Sequence, residues 1–100
     1  MERKQTAAKT ARAAREAGEH LTVWRKLEGL TAEQVADRAG ISRGTLRRLE
    51  HGEPGVRFET FLDVARVLGI LDRAVVALDP YETELGRARA GDLLPQRVRQ

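Results

Sequence analysis

Cysteine is absent from this 100-residue chain, and aromatic side chains make up only 4% of it. Without thiols, disulfides and thiolate metal sites are excluded. With one tryptophan, one tyrosine and two phenylalanines, a core must come from leucine, valine, isoleucine and alanine. Such a core favours packed helices over a sandwich of sheets. Histidine is also scarce. His20 and His51 stand far apart, so no metal cluster or histidine-based triad is in view. No apolar run approaches the ~20 residues that span a bilayer. The charged N-terminus is followed by no hydrophobic segment of a secretory signal. No membrane attachment and a cytoplasmic location are the expectations. No glycine-rich phosphate loop follows a strand pattern. The acidic pairs Asp72 and Asp79, and Glu82 and Glu84, read as solvated charges and not as catalytic carboxylates. No enzyme activity, metal or cofactor is expected.

What the chain does have is uneven positive charge. Its net charge of +3 is modest for a length that suggests one domain. Arg3, Lys4, Lys9, Arg12 and Arg15 are opposed only by Glu2 over the first fifteen residues. Arg43, Arg47, Arg48 and Arg57 outnumber Glu50 and Glu53 over residues 41–57. Basic patches on a balanced surface are the footprint of a phosphate-backbone binder.

Residues 30–52 read as two short helices joined by a tight turn. Thr31 caps the first, with Gln34 completing a capping box. Val35, Ala36 and Ala39 form its inward stripe, and Gly40 ends it through the left-handed conformation. Ser42 caps the second helix, which turns Leu46 and Leu49 inward. Gly44, Arg47 and Arg48 fall on the opposite face, with Arg43 at the leading end. Such a pair suits a DNA major groove. It also suits a ligand-free packing unit with a solvated arginine face, and periodicity alone leaves both readings open.

Before this pair, residues 1 to about 10 read as a frayed arm, either a solvated leader or a contact to DNA phosphates. A first helix starts between Thr10 and Gly18 and ends near Glu28, with Leu21, Trp24 and Leu27 or the Glu28 stem inward. After the pair, His51 to Gly55 form a loop. A fourth helix spans about Arg57 to Leu68. Leu71, Ala74, Val75 and Leu78 follow helical spacing and predict a fifth, ended by Asp79-Pro80. A short sixth helix fits Glu82 to Ala90, and the tail after Gly91 has no helical period. Helices one to five are expected to hold the core.

The stretch resembles the Cro/phage-repressor, or Xre-like, helix-turn-helix family. Thr31, Val35-Ala36, Gly40-Ile41-Ser42, Thr45-Leu46, Leu49-Glu50 and Gly52 carry the likeness. It continues through Phe58, Phe61-Leu62 and Ala65 to Leu68-Gly69-Ile70, and covers roughly residues 18–78. The resemblance implies an all-α, compact five-helix DNA-binding domain over residues 17–78, preceded by a basic arm or helix extension (1–16) and followed by a C-terminal extension (79–100). It implies base contacts from Arg43, Gly44, Thr45 and Arg48, and phosphate contacts near Thr31, Ala32, Gln34, Arg47 and Arg57. Two positions depart from the family pattern. Ala32 stands where a glutamine is common, and Gly44 where a long polar side chain is common. Relatives also pair the residues at the positions of Arg25 and Glu50. Glu50 lies about 70° from the mean direction of Leu46 and Leu49 on a helical wheel, so its carboxylate needs a partner.

Family members usually dimerise on palindromic operators, with half-sites about 34 Å apart. Val76 points about 140° away from Leu71 on the fifth helix and has no evident use inside a monomer. Leu71, Val75, Val76, Leu85, Leu93, Leu94 and Val98 are the candidates for dimer or partner contacts. More weakly, residues 79–99 resemble the tails of HipB-like antitoxins, whose partner is a HipA-type kinase toxin. The expected function is sequence-specific double-stranded DNA binding by a transcriptional regulator. It is either the autorepressing antitoxin of such a module or a plain Xre-like repressor.

Overall fold

The computed structural model describes residues 6–93, and every regular element among them is helical. The chain divides into two compact units, one ending at Ile70 and the next beginning at Leu71. The break precedes the expected end of the DNA-binding domain at Leu78.

In the first unit, α1 spans Ala8–Leu27, α2 Ala32–Ala39, α3 Arg43–Glu50 and α4 Phe58–Val67. α1 begins ahead of the expected start at Thr10 or later. No side chain caps it at Ala7. Alanine's high helix propensity favours the start, with Ala8, Ala11, Ala13, Ala14 and Ala17 in its first ten residues. Ala11 and Ala14 are half-buried, and Gly18 and Leu21 are buried. This inward stripe at helical spacing extends the packed face of α1 back toward its start. Leu27 or the Glu28 stem was expected inward, but both residues are exposed, Leu27 to 75%. α1 ends there, and the chain turns through Gly29 at φ 71° to bring Leu30 against the core instead.

α1 crosses α3 at backbone contact. A Cβ on Gly18 would collide with the carbonyl oxygen of Glu50 and lie 2.7 Å from that of Leu49. Gly52, at φ 68°, is held from the other side, since its Cβ would lie 2.6 Å from Arg15 Cα. Both glycines permit one crossing, which sequence periodicity does not reveal. α2 packs between α3 and α4. Leu21, Val35, Ala36, Ala39, Leu46, Val64 and Leu68 form the buried cluster, with Trp24, Ile41 and Phe61 packed against it. Complete burial of a Leu or Val side chain stabilises by about 1.5–3 kcal/mol. Leu46, Leu68, Val35 and Val64 reach that limit. Leu49 is only half-buried, packed against the edge of the cluster.

The second unit begins with α5, Leu71–Val76, which has no buried residue. The expectation that a fifth helix helps to hold the core is therefore corrected: helices α1 to α4 and the segments joining them supply it. Val75, Val76 and Leu78 are exposed to 55%, 50% and 74%. A 3-10 turn at Pro80–Glu82 is capped by Asp79, whose carboxylate accepts from the Tyr81 amide at 2.9 Å. α6, Glu84–Ala88, is capped by Thr83, whose hydroxyl accepts from the Gly86 amide at 3.0 Å. Residues 90–93 are helical as well, so helix runs past Gly91 to residues 92 and 93, where no helical period was expected. Leu94 and Val98, two of the candidate partner contacts, lie outside the described residues, as does the basic pair Arg3 and Lys4.

Candidate nucleic-acid interface

The turn between α2 and α3 is built from local chemistry. The Gln34 amide donates to Thr31 Oγ1 at 3.1 Å, and the Thr31 amide donates to Gln34 Oε1 at 2.9 Å. This capping box uses the Gln34 carbonyl but leaves its NH2 group free to donate to a phosphate. Gly40 closes α2 at φ 73° in the left-handed region. The Thr45 amide then donates to Ser42 Oγ at 3.0 Å, and that hydroxyl donates on to Thr45 Oγ1 at 2.9 Å. Thr45 is thus drawn back to the cap and half-buried, so it presents less to a ligand than the arginines around it.

α3 buries Leu46 and exposes Arg43, Gly44, Arg47 and Arg48. Ala32, at the start of α2, lines one shallow cleft with Arg43, Gly44, Leu46, Arg47 and Glu50. Candidates for phosphate and for base contact therefore meet beside the leading end of α3. Ala32 contributes only a methyl group to this cleft, and Gly44 no side chain. No crowding requires glycine at 44: an added Cβ would find only Ser42 Oγ, at 3.8 Å. Arg57 stands apart from this cleft, as the residue before the first turn of α4. It is exposed to 80% and reaches Glu59 at 3.2 Å.

Beneath the face, Arg25 grips Glu50 in a bidentate pair along the Nε–Nη2 edge of its guanidinium. Nε donates to Oε2 at 2.8 Å and Nη2 to Oε1 at 3.2 Å. Nη1 donates to the Leu30 carbonyl at 3.3 Å. The two side chains are exposed to only 13% and 11%. A pair so placed ties α1, the α1–α2 turn and the end of α3 together, and losing one partner would strand the other's charge. The Leu30 carbonyl and the acidic partners of the exposed arginines, Glu53 for Arg48 and Glu59 for Arg57, were not anticipated from sequence. The available signal was an acid placed just beyond the glycine that ends α3, and another two residues after Arg57.

A family model described as a helix-turn-helix domain matches residues 16–78, more than half of the chain. The chain belongs to the helix-turn-helix domain family. No curated protein and no solved structure matches it. The helix-turn-helix match begins inside α1, so the first turns of that helix precede the shared region. Membership supports DNA binding, because these domains lay their second helix into the major groove. Among the described residues no group of side chains could hold a metal ion, and no helix is long and apolar enough to cross a membrane.

Proposed function

We propose that this protein is a sequence-specific double-stranded DNA-binding transcriptional regulator. One observation carries the reading: within a helix-turn-helix domain, α3 buries Leu46 and turns Arg43, Gly44, Arg47 and Arg48 to solvent. Arg48 and Arg43 read base edges, for which a guanidinium fork matches guanine O6 and N7. Gly44 lets the helix backbone come close, and Thr45 adds a minor contact. Thr31, Ala32, Gln34, Arg47 and Arg57 position the domain through the phosphates, partly by the backbone amides at the start of α2.

The finer reading is a homodimer on a palindromic operator, acting in the cytoplasm. Support comes from the second unit, where Val75, Val76, Leu78, Leu85 and Leu93 are all at least half exposed. Leu71 adds a half-buried side chain to the same short helix. An antitoxin role, with autorepression of a toxin operon, is the most specific form of the proposal. It rests on the resemblance of residues 79–99 alone; a kinase-like product encoded in the adjacent reading frame and co-purifying with the chain would support it, and the absence of one would overturn it. A plain Xre-like repressor without a toxin is the alternative.

Selection of binding duplexes from a random library by the full chain tests the DNA reading. A recurrent sequence is expected, and failure to enrich any sequence would overturn the function. On the selected duplex, Arg48→Ala should weaken binding by ~1–3 kcal/mol and relax preference at one position per half-site. Arg57→Ala should weaken matched and unmatched duplexes alike, and reduce the slope of log K against log[salt] by roughly one. An unchanged slope would remove Arg57 from the interface.

A further inference from the structure

Glu53 is an acid in the basic stretch that the proposed function leaves unused. Between residues 41 and 57 the only acids are Glu50 and Glu53. Glu50 is taken by Arg25. Glu53 lies beside Arg48, with Oε1 3.8 Å from Nε.

Its position is set by the backbone. α3 ends in a Schellman arrangement: the Gly52 amide donates to the Leu49 carbonyl at 3.0 Å, and the Glu53 amide donates to the Arg48 carbonyl at 2.9 Å. Gly52 takes φ 68° and is pinned against the backbone of α1 at Arg15. Glu53 is therefore placed over the residue whose side chain it faces. Three positions before and after Arg48 stand Thr45 and His51. The positions four before and four after it are Gly44 and Gly52, which offer no side chain along the helix. A Cβ on Gly55 would come within 3.9 Å of Arg48 Nη2, so the guanidinium lies against the loop from Glu53 to Gly55.

We propose that Glu53 is a positioning residue for Arg48. At 3.8 Å the two form an ion pair and not a hydrogen bond; the carboxylate attracts the Nε side of the guanidinium and biases the Nη1–Nη2 edge toward a guanine in the major groove. The same negative charge disfavours complexes in which Arg48 meets phosphate alone, so Glu53 raises specificity while lowering overall affinity. This rests on the reading of Arg48 as a base contact.

The test uses the full chain and the duplex selected by it. Arg48→Ala first locates the base pair at which preference is lost. Glu53→Gln and Glu53→Asp are then measured on the selected duplex, on the same duplex with that base pair replaced, and on an unrelated duplex. Glu53→Gln is expected to bind the unrelated duplex more tightly. Its discrimination at the Arg48 base pair should fall roughly three- to tenfold, with discrimination elsewhere unchanged. Glu53→Asp should recover part of that discrimination. In an Arg48→Ala background, Glu53→Gln should no longer alter it. Glu53 is half exposed and caps nothing with its side chain, so thermal unfolding of Glu53→Gln should match wild type. Tighter binding to all three duplexes with unchanged discrimination would reduce Glu53 to a simple repulsive charge and overturn the proposal while sparing the DNA reading. Loss of no base preference in Arg48→Ala would overturn both this proposal and the base-reading role of Arg48.

Discussion

The two units of this chain are both helical, yet they are held by different forces. The unit ending at Ile70 encloses an aliphatic cluster, a buried ion pair and backbone-to-backbone helix contact. Among residues 71–93 none is buried, and the hydrogen bonds join residues no more than six apart. Caps at Asp79 and Thr83 and the Arg87 bond to the Tyr81 carbonyl shape the segment. Local hydrogen bonds net only about 0.5–1.5 kcal/mol each, and ordering a residue's backbone costs about 1–2 kcal/mol. Caps can therefore select a conformation but cannot stabilise it without burial. The difference teaches that the first unit is built to present α3 rigidly, whereas the second offers apolar surface that becomes useful when something covers it.

The sharpest way to break the contrast is to remove Glu50. Glu50→Ala leaves Arg25 buried without its carboxylate, and should lower the unfolding free energy by ~3–5 kcal/mol, read by denaturant titration. A double-mutant cycle with Arg25→Ala should show strong coupling. Coupling below ~0.5 kcal/mol would make the pair a surface bridge.

A smaller and opposite effect is expected at Gly44. Its Cβ space is free and its φ is not left-handed, so nothing in the fold requires glycine there. Gly44→Ala should raise stability by up to ~1 kcal/mol and yet weaken binding to the selected duplex. A variant that is more stable and binds as wild type would show that the backbone at 44 does not approach DNA. Gly18 is the counterpart in the same unit, a glycine the packing demands.

The smallest effect on stability should come from removing the second unit. Among the described residues, truncation after Ile70 takes away none that is buried, so the unfolding free energy of the remainder should change by less than about 1 kcal/mol. Self-association, read by sedimentation, should be lost, and DNA affinity should fall only through that loss. If the truncated chain unfolds, or if full-length chain is monomeric at tens of micromolar, the division between the units fails.

How much of this was legible in the sequence depends on how far each interaction reaches along the chain. The capping box of Thr31 and Gln34, the left-handed stop at Gly40 and the Ser42 cap were all readable in advance, because each joins residues within four positions. So was the inward stripe of α2, a property of helical period alone. The pairing of Arg25 with Glu50 was legible only through the family resemblance, since 25 positions separate the partners. The remainder was decided by tertiary structure. Chief in it is where α1 crosses α3, against the backbone of Leu49 and Glu50. That crossing is set by close approach at Gly18 and Gly52, two residues whose lack of a side chain gives no periodic signal. Sequence by itself determined the four helices of the first unit, the capped ends of α2 and the start of α3, and the arginine face, because backbone hydrogen bonding and helical period act locally. Only the tertiary structure decided which faces are covered, because burial depends on residues distant in the chain meeting in space.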